Sequence, residues 1–332
     1  MPVSDKKILS SAVVFADGFF MSEDSLAEIS SLGGYAWAGA KDHRDLAQKI
    51  GGSDAVRFIV SEYIWLNEEV FVQAPGLKGV IAYGAGYDHI DLQKAAERGI
   101  VVCNCRGENA QAVAELAFGL LMSLMRKVHR ADTYVRQGKW RRAESASLPG
   151  WATGGELWQK TLGIIGLGQI GRRMARMARG FDMKILAHDP LAGGEEYSWV
   201  EMTPLDVLLA KSDVVTLHIP LTPATEKLIN AQTLSKMKPT ALLVNTSRGR
   251  VIDEPTLLKA LRDKRIAGAA LDVFSAEPLP ADHPLAKMEN VVLSPHMGAM
   301  THEAGERLSA AVTRQVRDIL LGRKPECQIA PW

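Results

Sequence analysis

Cysteine is scarce in this chain, with three residues in 332: Cys103, Cys105 and Cys327. Three thiols cannot form a disulfide framework, so a reducing, cytoplasmic setting is expected. Cys103 and Cys105 have too few companions for a zinc site, and no metal is expected. A charge excess is missing as well. The 39 Lys and Arg against 38 Asp and Glu predict neither nucleic acid nor an anionic membrane as a partner. Long apolar runs are also absent. Lys6-Lys7 before the run Ile8 to Ala16 mimics the start of a signal peptide, but Asp17 interrupts it and no small-residue cleavage site follows. A first β-strand is expected there. Elsewhere nothing approaches the ~18 residues of a membrane span. Internal repeats and low-complexity tracts are missing too.

What remains is an α/β pattern long enough for two domains. Short β-rich runs alternate with helical stretches, which argues for parallel sheets with helical crossovers. In the first hundred residues the expected strands are Ala12–Ala16, Val56–Val60, Gly79–Ala82 and Ile100–Cys103, with helical patterns such as Glu23–Ser31 and Leu92–Gly99 between them. A helix from Ala110 to His129, apolar on most faces, is expected to be buried. The stretch Gly138 to Gly155 lacks periodicity and is expected to be a loop. A second block then offers six strands: Leu162–Gly166, Lys184–His188, Val214–Leu217, Ala241–Asn245, Ala267–Leu271 and Val291–Leu293. Six is the number a dinucleotide-binding domain uses. A last helix, His302 to Leu321, closes the pattern.

Gly166-Leu-Gly168-Gln-Ile-Gly171 follows the strand Leu162–Ile165 and opens a helix, the context that gives a G-x-G-x-x-G its meaning. The first glycine allows a tight turn, the second lets backbone approach a pyrophosphate, and the third lets helix and strand pack closely. The helix N-terminus adds free amides and partial positive charge. Asp189 ends the next strand 18 positions after Gly171, near the ~20 expected for the acid that holds the ribose 2′-hydroxyl. A carboxylate there repels a 2′-phosphate, and Pro190-Leu191 supply no arginine to reverse that, so NAD is favoured over NADP.

Three further polar residues follow the carboxyl ends of later strands, the rim where open α/β sheets place ligands: Arg248, Glu277 and His296. They sit in Asn245-Thr-Ser-Arg-Gly249, in Leu271-Asp-Val-Phe274 with Glu277-Pro278, and in Ser294-Pro-His-Met-Gly298. With the glycine motif, Leu217-His-Ile-Pro-Leu-Thr-Pro223, Gly84-Ala-Gly-Tyr-Asp88 and Asn109 to Glu115, the chain from residue 79 to 300 closely resembles the D-isomer-specific 2-hydroxyacid dehydrogenase family.

The resemblance implies hydride transfer between NAD(H) and a small 2-keto or 2-hydroxy acid. His296 would be the general acid–base. Glu277 would fix its ring and favour the imidazolium, and Arg248 would bind the carboxylate and keto oxygen. Gly84, Ala85 and Gly86 would add backbone amides for the same carboxylate. Gly166, Gly168, Gln169, Ile170, Gly171, Asp189, Pro220, Thr246, Asp272 and Gly298 would line the cofactor site, Asp272 contacting the nicotinamide carboxamide.

It also implies a Rossmann doubly wound domain, residues 107–298, inserted into a smaller flavodoxin-like α/β substrate domain made of 1–106 and 299–332. A homodimer is implied, with the Ala110–His129 helix in its interface. The other seven histidines are expected to be structural or surface residues. Met297, Met300 and the stretch Arg141–Gly155 depart from the family pattern. Tyr83 before Gly84 argues against phosphoglycerate, since relatives acting on that substrate tend to carry a basic residue nearby. Two rivals stay open: a formate-type enzyme, against which Glu277 argues, and an NAD(H)-sensing binding protein or corepressor-like module on the same fold.

Overall fold

A computed structural model describes residues 8–140, 148–191 and 197–330. Lys6-Lys7 and residues 141–147 of the expected loop lie outside them. The chain divides into two units, Met1–Ala110 with Ala299–Trp332, and Gln111–Gly298.

In the first unit, β1 (Val13–Phe15), β2 (Tyr35–Trp37), β3 (Phe58–Ser61), β4 (Gly79–Ala82) and β5 (Val101–Asn104) form a parallel sheet in the order β5-β4-β3-β1-β2. That is the flavodoxin-like order. Strands β1, β3 and β4 are buried throughout. They therefore read as continuous apolar runs rather than alternating ones, as sheets covered on both faces do. One face packs on Leu46, Ile50, Leu66 and Phe71. The other packs on Leu308, Val312 and Val316 of the helix His302–Leu320. Thr301 caps that helix by accepting the Ala304 amide at 3.1 Å.

In the second unit, β6 (Thr161–Ile165), β7 (Lys184–His188), β8 (Glu201–Met202), β9 (Val214–Leu217), β10 (Leu242–Asn245), β11 (Gly268–Leu271) and β12 (Val291–Leu293) form one sheet. The order is β12-β11-β10-β9-β6-β7-β8, every pair parallel. This is the doubly wound dinucleotide-binding arrangement with one strand added at the far edge. Its switch point lies between β6 and β9, so ligands belong outside the carboxyl ends of these strands.

The six expected strands of this unit all form. Three strands were not expected from sequence: β2, β8 and β13 (Gln328–Ala330), the last antiparallel on β5. Each has two or three residues, too few to show a period. The long helix also differs from expectation. Ala110–Arg126 buries Ala114, Ala117, Leu121 and Leu124 in the core of its unit. Lys127 then turns left-handed at φ 56°, and a separate helix, Val128–Arg136, follows with no buried residue. After Leu124 the apolar period runs out into Arg126, Lys127, His129 and Arg130, so the second helix has no apolar face to bury in the core.

Candidate active site

The glycine turn is built by close approach. Gly166 has φ 93°, and a Cβ there would lie 2.4 Å from the His218 carbonyl oxygen. A Cβ on Gly171 would lie 2.1 Å from the Gly166 oxygen, whereas one on Gly168 would meet nothing within 4 Å. So Gly166 packs on the backbone after β9, Gly171 welds the helix to the turn, and the middle glycine faces open space. Gly168 precedes the helix Gln169–Arg179 and has no side chain to cap it. The amides of Gln169, Ile170 and Gly171 find no acceptor among the described residues, and they make an anion site with the helix dipole behind them.

Asp189 shapes this turn. One carboxylate oxygen accepts the Leu167 amide at 2.8 Å and the other accepts the Leu191 amide at 2.8 Å. A carboxylate has about four acceptor positions, so two remain for a ribose diol. At the ends of β9 and β10, His218 Nδ1 and Thr246 Oγ1 are buried without a partner among the described residues. Unpaired buried polar atoms are costly, and here they lie on the rim where a nicotinamide amide would pair with them. The residues present therefore fit NAD. Pro220 lies beside them, exposed, with its carbonyl taken by Thr225 Oγ1 at 2.6 Å.

Arg248, Glu277 and His296 come from three neighbouring strand ends. Asn245, the last residue of β10, accepts from the Ser247 amide at 3.0 Å and donates to the Arg248 carbonyl at 2.9 Å, which fixes the turn that carries Arg248. Gly249 then lies flat on the backbone after β11. A Cβ there would sit 1.9 Å from the Phe274 carbonyl carbon, so only glycine fits.

Glu277 accepts the Phe274 amide at 2.9 Å through one oxygen and meets His296 Nδ1 at 2.6 Å through the other. Burial opposes ionisation of this carboxyl. The His296 hydrogen bond and charge, the Phe274 amide and the Arg248 cation outweigh it, and Glu277 is held below the usual carboxylate range.

The His296 loop hangs from one buried carboxylate. Asp272, 1% exposed, accepts from Ser294 Oγ at 2.6 Å, the Met297 amide at 3.0 Å and the Gly298 amide at 2.9 Å. Its carbonyl accepts the His296 amide at 2.8 Å. These bonds hold His296 at φ 50°, a left-handed conformation that an unsupported histidine avoids. Gly298 is buried against Asp272. Asp272 and Gly298, expected at the cofactor, hold the loop that carries the histidine.

Gly84, Ala85 and Gly86 belong to the other unit and follow β4. The Gly84 amide is spent on the Ala82 carbonyl at 2.9 Å. Those of Ala85 and Gly86 find no acceptor among the described residues, so two amides rather than three are offered to an anion.

Sequence reading missed Asn245, Ser294 and His218. Asn245 carried a signal in Asn-x-Ser at a strand end, a side-chain turn signature. Ser294 and His218 carried none, because their value lies in contacts across strands.

Residues 118–298 match the family model described as the D-isomer specific 2-hydroxyacid dehydrogenase NAD binding domain. The chain is 43% identical to the glyoxylate reductase of Korarchaeum cryptofilum over 84% of this chain and 83% of that protein. A glyoxylate reductase structure from Paecilomyes thermophila superposes with TM-score 0.85 at 30% identity, covering 96% of this chain and 98% of that one. The D-lactate dehydrogenase of Aquifex aeolicus, solved with NAD and lactic acid, gives TM-score 0.82 at 26% identity over 96% and 100%.

Proposed function

The chain belongs to the D-isomer specific 2-hydroxyacid dehydrogenase family, and we propose that it is an NAD-dependent, D-specific reductase of small 2-keto acids of the glyoxylate class. The observation that carries this reading is the His296–Glu277 pair at 2.6 Å on the strand-end rim, with the Arg248 charge acting on the same carboxylate. The glyoxylate reductases among its relatives support the substrate class.

NAD, when bound, supplies the hydride chemistry. Gln169, Ile170 and Gly171 bind its pyrophosphate through their amides, Asp189 the ribose diol, and Thr246 and His218 the carboxamide end. Arg248 offers a planar, permanently charged fork to the carboxylate and keto oxygen of the substrate, and the Ala85 and Gly86 amides take part in holding the carboxylate. In reduction His296 gives a proton to the keto oxygen through Nε2, and in oxidation it takes one from the hydroxyl. Glu277, kept ionised, holds the ring by Nδ1 and stabilises the imidazolium.

We further propose a cytoplasmic homodimer. Among the described residues no helix is long and apolar enough to cross a membrane. The helix Ala110–Arg126 spends its apolar faces in its own core. Val128, Val135 and Trp140 are among the exposed large apolar side chains, and the first two place the candidate interface on the helix Val128–Arg136. Sedimentation of the native chain against a Val128→Asp/Val135→Asp variant tests it.

The functional test is NADH oxidation with 2-keto acids of graded size. Glyoxylate, hydroxypyruvate or pyruvate should turn over. NADH should exceed NADPH by at least about 100-fold in kcat/KM, roughly 2.7 kcal/mol of transition-state binding. Turnover with no keto acid, or equal use of both cofactors, would refute the assignment.

A further inference from the structure

Two hydrogen bonds end on the short loop after β4, and a third fixes one of their donors. The Gly84 carbonyl accepts the Cys105 amide at 2.7 Å. The Ala85 carbonyl accepts Asn104 Nδ2 at 2.7 Å. Asn104 is itself fixed: its own carbonyl, on the last residue of β5, accepts Gln315 Nε2 at 2.7 Å. That glutamine comes from the helix His302–Leu320 and is 3% exposed, and Asn104 is 5% exposed. In a planar trans peptide the carbonyl and the following N–H point in opposite directions. Holding the Gly84 oxygen therefore aims the Ala85 amide the other way, and holding the Ala85 oxygen aims the Gly86 amide the other way. These are the two loop amides without an acceptor among the described residues. One is set by backbone; the other depends on a side chain.

Resting on the reading that this loop receives the substrate carboxylate, we propose that Asn104 is a positioning residue for that carboxylate, with Gln315 as its support. Asn104 touches no substrate. By holding the Ala85 carbonyl it presents the Gly86 N–H, so its loss weakens carboxylate binding and leaves the dinucleotide turn in the other unit untouched.

Asn104→Asp keeps the shape and replaces the donor with an acceptor, which releases the Ala85 carbonyl. Asn104→Leu removes the donor without adding charge. Both should raise KM for glyoxylate by about 10- to 100-fold, the size of one buried donor lost. The dissociation constant for NADH should stay unchanged, and kcat should fall by less than about threefold. Gln315→Leu should move KM the same way by a smaller factor. Unchanged KM in both Asn104 variants overturns the proposal. So does a joint loss of NADH affinity, kcat and melting temperature, which would mark a merely structural role.

Hydrogen exchange of the peptide covering residues 84–86, with and without oxalate, reads the loop without turnover. Oxalate should protect it in the native chain and not in Asn104→Asp. Equal protection in both, or none in either, overturns the role of Asn104. If the native chain reduces no keto acid, the functional reading fails, while the oxalate difference still decides this one.

Discussion

The loop that carries His296 and the loop of Gly84 are held by opposite devices. The first hangs by its amides: Met297 and Gly298 donate to the buried Asp272 carboxylate, which frees the loop to present a side chain. The second is pulled in by its carbonyls, toward Asn104 and the Cys105 amide, which frees it to present amides. A loop anchored through its amides suits a presented side chain, because its backbone is spent and its side chain is not. A loop anchored through its carbonyls suits an anionic ligand, because its N–H groups are left over. What each loop offers is set by what it has already spent.

Removing the presented group from the first loop should have the largest effect. His296→Ala should cut turnover by ~10²- to 10⁴-fold, the usual range for general acid–base catalysis, with NADH binding by fluorescence titration near normal. A smaller loss would mean that the Asp272 anchor serves the fold rather than the chemistry. Next comes Arg248, on the turn held by Asn245. Arg248→Lys keeps the charge and loses the fork, so kcat/KM should fall on the order of 100-fold. If NADH binding fell instead, Arg248 would belong to the cofactor.

The smallest effect concerns His218, whose ring burial holds its pKa down to about 3. The native state then binds fewer protons than the unfolded chain, whose histidine titrates near 6.5. Stability is therefore whole above about pH 6.5 and declines as pH falls toward 3. His218→Asn should flatten the decline of melting temperature between those values. An unchanged slope would show that the His218 ring is solvated.

Much of the candidate site was legible because it resides in short strings with mandatory context. The glycines at 166, 168 and 171 follow an apolar strand, and Asp189 ends the next one, so their roles could be argued from spacing alone. Arg248, Glu277 and His296 could each be set at a strand end, but not in contact, because register between β10, β11 and β12 is a tertiary fact. The bonds that Asp272 makes to the His296 loop were hidden for the same reason: its partners lie 22 to 26 positions away. Strands β2 and β13 escaped because two- or three-residue strands draw their stability from their neighbours rather than from their own pattern. The helix ends at Arg126 rather than His129 because helical propensity continues past Leu124 although the burial that fixes the helix does not.

Whether Glu277 acts through His296 is decided by the single-turnover rate of keto-acid reduction in Glu277→Gln. Because the Glu277 pKa is depressed, the native carboxylate is ionised above the usual 4.5 and is lost only as pH falls through its lowered value. Across the neutral range it is a fixed negative charge on the ring. Glutamine keeps a hydrogen bond and removes that charge. The variant should reduce keto acid more slowly across the neutral range, where the native carboxylate is ionised, with NADH affinity and melting temperature unchanged. A native rate in the variant would leave Glu277 a bystander.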